Sequence, residues 1–400
     1  MTLDFSGYLR SVCHHYEQWW ECYTLTDAVG KERVSRKGEP LASPFDFGLM
    51  VQTVGEKTER REEENRRAGE QEKEKIERLP VLEGIRKYAA QHVLLRGRPG
   101  SGKSTALIRL LLEDAEAATQ SVDSRSPIPI LVELRYWSES VIDRIQSFIH
   151  QHDPTLDLDR SALNTLLRQG RFLLLIDGLN ELPSEAARQD VIRFRKDYPQ
   201  TAMIFTTREL STGGDFGIAK QLEMQPLTEI QMRQFVQAYL PQDQAEQLLR
   251  QLKDRLRELG QTPLLLWMLC SLFQQTGTIP PNLGMVFRCF TQGYERNVKQ
   301  DVPIQSDRRH WARVLQRLAF IMLQGEDPSE KPTEFLVAID RSQAERALVE
   351  VYTNEVPYPH GFVQNVLEDL LNHHLIQLNS DKIEFRHQLL QEYYAAEALL

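Results

Sequence analysis

The stretch GRPGSGKST, residues 97–105, spaces Gly97, Gly102, Lys103 and Ser104 as G-x-x-x-x-G-K-S. Each residue type answers one need of a bound polyphosphate. Glycines, Gly100 among them, let backbone N–H groups converge on phosphate oxygens where a Cβ would intrude. Lys103 brings positive charge to the β and γ phosphates, and the Ser104 hydroxyl reaches Mg²⁺. Arg98, Pro99, Ser101 and Thr105 complete the loop and line the same ligand. A second stretch, FLLLIDGLNE at 172–181, ends an apolar run on Asp177, whose carboxylate at the carboxyl edge of a sheet can hold Mg²⁺ through water. Gly178 leaves room beside it, and Glu181 is near enough to polarise an attacking water. TTR at 206–208 sets Thr207 and Arg208 at that same edge, beside a γ phosphate, with a bystander ion pair as the other reading of Arg208.

These side chains need a frame. HVLLRG (92–97) reads as a strand entering the glycine loop, and Lys103–Ala118 as the helix leaving it. IPILVEL (128–134), RFLLLIDG (171–178) and TAMIFTTR (201–208) are further strands, short, apolar and separated by helical patterns. Such strands belong to a parallel sheet covered on both faces. Beyond Met224 amphipathic helices take over, including TPLLLWMLCSLF (262–273), where Thr262 suits the cap and Pro263 the first turn. HLIQLNSDKIEFRH (374–387) predicts two strands about an Asn-Ser-Asp turn, with helices at 361–372 and 388–400 on either side, the order of a winged helix.

Upstream of the core, Phe5, Tyr8, Leu9, Val12, Tyr16, Trp19 and Tyr23 recur every three or four residues, one face of a helix that either packs on the chain's own body or docks a partner segment. Residues 56–78, EKTERREEENRRAGEQEKEKIER, carry almost no apolar side chain and read as a solvated helix or linker. The expected organisation is α/β, a P-loop parallel-sheet NTPase core followed by a helical domain and a winged-helix domain. Its expected boundaries are an N-terminal helical segment at 1–55, a charged linker at 56–80, the core at 81–225, the helical domain at 226–300 and the winged helix at 301–400.

Composition narrows the partners. The 400 residues carry a formal charge of -9 with no gathered basic patch, which makes nucleic acid an unlikely ligand. Four cysteines without a CxxC pair fit a reducing compartment. Cys13, His14 and His15 are consecutive and point around a helix, so they do not converge on a metal. No run is long enough to span a membrane, and the N-terminus lacks the order of a signal peptide, so a cytoplasmic location is expected. The sequence stops inside an apolar helical pattern, QEYYAAEALL, which predicts a continuation beyond Leu400.

GRPGSGKST, LLLIDGLNE, FTTR, TPLLL and FRHQLLQEYYAA, in that order, resemble the NACHT branch of the STAND signalling ATPases, relatives of the inflammasome and antiviral sensors, and in wording the bacterial and cyanobacterial members above all. The resemblance covers residues 80–400. It implies a five-stranded parallel core, a small helical domain whose Pro263 lies against adenine, Arg208 as the sensor residue, and a winged helix whose His387 touches the β phosphate of ADP at rest. From the residues alone, a histidine opening a helix after a strand, as His387 does, reads more often as a local cap or core contact. Where many members have a second acid this chain has Asn180, which leaves Glu181 as the lone acid after the turn and predicts slow hydrolysis. The expectation is an ATP/ADP switch with Mg²⁺, opening and self-associating on an unknown trigger, ligand or protein, with a role in bacterial defence. The rivals are a continuously cycling AAA-type ATPase and a nucleotide-binding scaffold.

Overall fold

The computed structural model describes residues 4–21, 48–54, 76–120, 126–156, 158–208, 216–252, 260–296, 304–324, 336–372, 375–379, 381–385 and 388–400. They fall into two compact units, one within Met1–Glu17 and Pro44–Leu227, the other within Gln18–Ser43 and Thr228–Leu400.

The first unit runs α1 (Ser6–Glu21), β1 (Met50–Val54), β2 (Arg78–Pro80), α2 (Val81–Tyr88), β3 (Val93–Gly97), α3 (Lys103–Gln120), β4 (Ile128–Glu133), α4 (Val141–His152), α5 (Arg160–Arg168), β5 (Phe172–Asp177), α6 (Glu185–Asp197), β6 (Ala202–Arg208) and β7 (Lys220–Met224). One seven-stranded sheet takes the order β2-β1-β7-β3-β6-β5-β4. The five strands from β7 to β4 are parallel. All six residues of β5 are buried, as a central strand covered on both faces requires. Helices start where a side chain can satisfy the free N–H groups of the first turn: Ser140 for α4, Asp159 for α5 and Ser184 for α6.

The sheet reaches further toward the N-terminus than expected. β1 lies in the stretch read as helical and β2 in the stretch read as linker, and they add an antiparallel edge to the parallel five. A five-residue strand and a three-residue strand carry too little periodicity of their own. They exist because β7 offers β1 a ladder, with Val51 opposite Met224 and Thr53 opposite Leu222, and β1 in turn offers one to β2. The join is reinforced where the Glu77 N–H donates to Thr53 Oγ1 at 2.9 Å.

The amphipathic face of α1 packs on this unit. Phe5, Tyr8, Leu9, Val12 and Tyr16 are buried, Phe5 meets Phe172 edge-on, and the Tyr8 hydroxyl donates to the Pro129 carbonyl at 2.7 Å. Of the two readings of that face, the structure shows the first for these five side chains; the Trp19 side chain and Tyr23 lie outside the description.

The second unit is mainly helical: α7 (Glu229–Tyr239), α8 (Gln242–Leu252), α9 (Pro263–Thr276), α10 (Leu283–Arg296), α11 (Trp311–Gln324), β8 (Ala338–Asp340), α12 (Arg341–Tyr352), α13 (Pro359–Asn372), β9 (Ile376–Asn379), β10 (Lys382–Phe385) and α14 (Gln388–Leu399). Thr262 caps α9 by accepting from the Leu265 N–H, and Pro263 takes the first helical position. Every residue from Leu266 to Phe273 is buried, so α9 is wrapped on all sides rather than lying on a surface. β8, β10 and β9 form a three-stranded antiparallel sheet with α12 and α13 between its first two strands in sequence. Helices on both sides of residue 300, where a domain border was expected, belong to this one compact unit.

Candidate functional site

β3 delivers the chain into the glycine loop, and α3 begins at Lys103 itself. Between them the backbone turns through positive φ at Gly100 (73°) and Gly102 (95°), a region that side-chain-bearing residues avoid. A Cβ on Gly102 would also stand 3.2 Å from Leu49 Cδ1, so the strand edge added by β1 shapes the loop from one side. The Ser101 N–H donates to the Arg98 carbonyl at 3.2 Å, and the Lys103 ammonium donates to the carbonyls of Gly97 and Arg98 at 2.8 and 3.1 Å. The loop is thus closed on its own lysine. Ser104 is half-buried and Thr105 buried at the start of α3, Arg98 is exposed, and Pro99 is half-buried.

The sheet register brings the other groups to the same edge. Glu133 at the end of β4 lies opposite Asp177 at the end of β5, and on the other side of β5 Arg208 closes β6, opposite Gly97 of β3. Asp177 is buried and held by Thr206, whose hydroxyl donates to Asp177 Oδ1 and accepts from the Gly178 N–H at 2.9 Å. That places one oxygen of the hydroxyl between the carboxylate and the turn after it. Gly178 has φ of 86°, and a Cβ there would stand 2.6 Å from Glu181 Oε2, so glycine is what lets the glutamate fold back over its own turn.

Arg135 was not singled out in the sequence, and it is a further cation at this edge, in addition to Arg208. It sits in the turn after β4, with Nε 3.3 Å from Glu181 Oε2 and Nη2 4.0 Å from Asp177 Oδ2. Its Nε is also 4.0 Å from Glu133 Oε1. A basic residue directly after a buried apolar strand is the signal that picked out Arg208, and VELR at 132–135 carries the same signal.

The chemistry of a nucleoside phosphate and a divalent cation fits these residues. Ser101 Oγ in the loop and Thr207 Oγ1 at the end of β6 are buried without a hydrogen-bond partner, an arrangement that a polar ligand would relieve. Positive φ at Gly100 and Gly102 gives the loop the backbone turn of an anion-binding nest, which side-chain-bearing residues avoid. Pro263 belongs to the second unit and opens α9. His387 falls outside the described residues. Among the described residues no cluster of His, Cys, Asp or Glu has the grouping of a protein-only metal centre.

Residues 91–276 match the family model of the NACHT domain, a span that contains the loop, the Asp177 turn, Arg208 and Pro263. No curated protein matches the sequence. Among solved structures, the chain is similar to the Walker-type ATPase of Pyrococcus abyssi, at 14% identity and TM-score 0.36 over 78% of this chain and 94% of that one. It is also similar to a Signal Transduction ATPase with Numerous Domains protein with a tetratricopeptide repeat sensor from Pyrococcus horikoshii, at 11% identity and TM-score 0.38 over 78% of this chain and 41% of that one. A third is the Drosophila ORC bound to DNA, at 15% identity and TM-score 0.34 over 80% of this chain and 85% of that one. No helix among the described residues is long and apolar enough to cross a membrane.

Proposed function

We propose that this chain, whose residues 91–276 match the NACHT domain model and include the nucleotide loop, is an ATP/ADP switch that hydrolyses slowly and changes state with the nucleotide it holds. The observation that carries the nucleotide reading is the loop itself: two positive-φ glycines and a lysine that donates to the loop carbonyls of Gly97 and Arg98. Phosphate oxygens offer that ammonium a stronger, charge-assisted partner than neutral carbonyls do.

In this reading the N–H groups of residues 97–105 bind the phosphates, Lys103 neutralises them, and Ser104 and Asp177 hold Mg²⁺. The metal, when bound, supplies charge stabilisation on the phosphoryl oxygens. Thr206 fixes the Asp177 carboxylate, and Glu181 takes the proton of the attacking water. Arg208, level with Gly97 at the end of the neighbouring strand, reads the γ phosphate. Pro263 flanks the adenine. The three-stranded sheet with α12 and α13 is the winged-helix unit, and His387, just after β10, bonds the β phosphate of ADP in the closed state.

A switch needs a ligand with different contacts in two states, and a γ phosphate on Arg208 against a β phosphate on His387 supplies that difference. Asn180 in place of a second acid supports slow turnover, which separates this reading from a cycling motor. Opening would be followed by self-association on a trigger from outside these residues, in the cytoplasm and in bacterial defence. Nucleic acid is not part of the reading, given a net charge of -9. A scaffold would keep one assembly state with ADP and ATP alike.

The test is Lys103→Ala. ATP binding by calorimetry is expected to weaken by about 2–4 kcal/mol, the scale of a lost charge-assisted contact in a dry site. Equal affinity in mutant and wild type removes the nucleotide reading altogether.

A further inference from the structure

We propose that Arg135 is a brake on hydrolysis, a positioning residue that holds the Glu181 carboxylate away from the attacking water until the guanidinium transfers to another acid. The inference rests on the reading of Glu181 as the base. It begins from the ion pair at 3.3 Å between Arg135 Nε and Glu181 Oε2, in a setting where the glutamate side chain is only 9% exposed. A base must reach the proton it takes, and a carboxylate oxygen turned to a guanidinium is not turned to water. With little solvent to screen the pair, the attraction outweighs what the same contact would contribute on a surface.

The geometry of the turn favours the same arrangement. Positive φ at Gly178 folds Glu181 back so far that its Oε2 lies where a Cβ on residue 178 would be crowded. The carboxylate is curled over its own turn, on the side of Arg135.

Release does not require an unpaired charge. The same guanidinium lies 4.0 Å from Glu133 and 4.0 Å from Asp177. The Glu133 side chain is 32% exposed against 9% for Glu181, so the pair can be remade with Glu133 nearer to solvent. Three acids around one five-donor cation make two arrangements of similar composition, which is what a population shift needs. In the step that is braked, a water oxygen bonds to the γ phosphorus as the bond to the β–γ bridging oxygen breaks. The water's proton passes to the Glu181 carboxylate, and ADP and inorganic phosphate leave.

The test compares wild type, Arg135→Gln, Arg135→Lys, Glu181→Gln and the Arg135→Gln/Glu181→Gln double variant, in the full chain with Mg·ATP. Arg135→Gln is expected to raise kcat by about 10-fold, a fraction of what a positioned base contributes. KM for ATP and ADP affinity by calorimetry should stay within about twofold, since the brake acts on the water and not on the phosphates. The double variant should fall to the floor of Glu181→Gln, because a brake that acts through Glu181 has nothing to release without it. Arg135→Lys, a compact cation without the guanidinium fork, should give a smaller rise. A folded Arg135→Gln protein with wild-type ADP affinity and an unchanged or lower kcat overturns the proposal, as does a rise that survives Glu181→Gln. If Arg135→Gln does not fold, Arg135→Lys decides on the same terms, a rise supporting the brake and no rise ending it. Absence of ADP and ATP binding in the wild type would instead remove the nucleotide reading on which the proposal stands.

Discussion

Two of the places where the first unit buries ionisable groups treat them in opposite ways. At the carboxyl edge of the sheet, Asp177 and Glu181 are kept as acids beside Arg135, with Thr206 satisfying one oxygen of the first. Under α1, His152 is surrounded by Tyr8, His15, Tyr16 and Phe148, with Ser11 Oγ 3.3 Å from its Nδ1. Burial, with the neighbouring His15 adding to it, brings His152 down to about 4 from its ordinary value near 6.5. The first place compensates charge; the second excludes it. Compensated charge can be redistributed among partners, which suits a site whose state must change, whereas a neutral buried group holds one arrangement and resists any other.

The sharpest way to break the first place is Gly178→Ala. Alanine would have to hold φ of 86° with its Cβ 2.6 Å from Glu181 Oε2. The strain is expected to cost about 1–3 kcal/mol, and displacement of the glutamate from its place beside Arg135 should raise turnover by about 10-fold, as Arg135→Gln does. Single-turnover hydrolysis checks it; wild-type rates in this variant would show that the fold-back of Glu181 has no part in the chemistry.

Acid should act on the second place. The folded state binds the His152 proton less readily than the unfolded chain does, so its stabilising share is complete above about pH 6.5 and is lost as pH falls toward about 4. Hydrogen exchange across residues 6–16, corrected for the intrinsic rate at each pH, should lose protection through that window. His152→Phe should remove the dependence. Protection that is flat with pH in the wild type would mean that the imidazole is solvated as well folded as unfolded.

The smallest effect is expected from Tyr8→Phe, which deletes only the hydroxyl that donates to the Pro129 carbonyl. A neutral buried hydrogen bond contributes about 1 kcal/mol, so opening of α1 should become about 5-fold easier by exchange. No change would assign the anchoring of α1 to its apolar face alone.

The sequence disclosed those features that are local in the chain. The glycine loop is nine consecutive residues whose spacing is its function, and the Asp177–Glu181 turn directly follows a fully apolar strand. The face of α1 was visible because a 3.6-residue period needs only one helix to declare itself. β1 and β2 were not visible, because MVQTV becomes a strand only where β7 offers it a partner, and RLP only where β1 does. Arg135 was missed for a related reason. Its meaning depends on β4 lying next to β5 with Glu133 level with Asp177, and strand order is not written in the spacing of residues. Thr206 was passed over for Thr207, since without the register nothing tells which of two threonines turns toward the acid.

A last consequence concerns the two outermost strands. β2 ends in Pro80 at one margin of the sheet, and β4 carries Pro129 at the other. Proline offers no N–H to an incoming strand, and at β4 the carbonyl of that same residue is taken by the Tyr8 hydroxyl. Neither margin is a ready template for adding chain, so a seven-stranded sheet with four strongly apolar members is kept from growing by pairing with its copies. Removing the first seventeen residues would return one acceptor to the β4 margin, leaving Pro129 as the guard there against such templating.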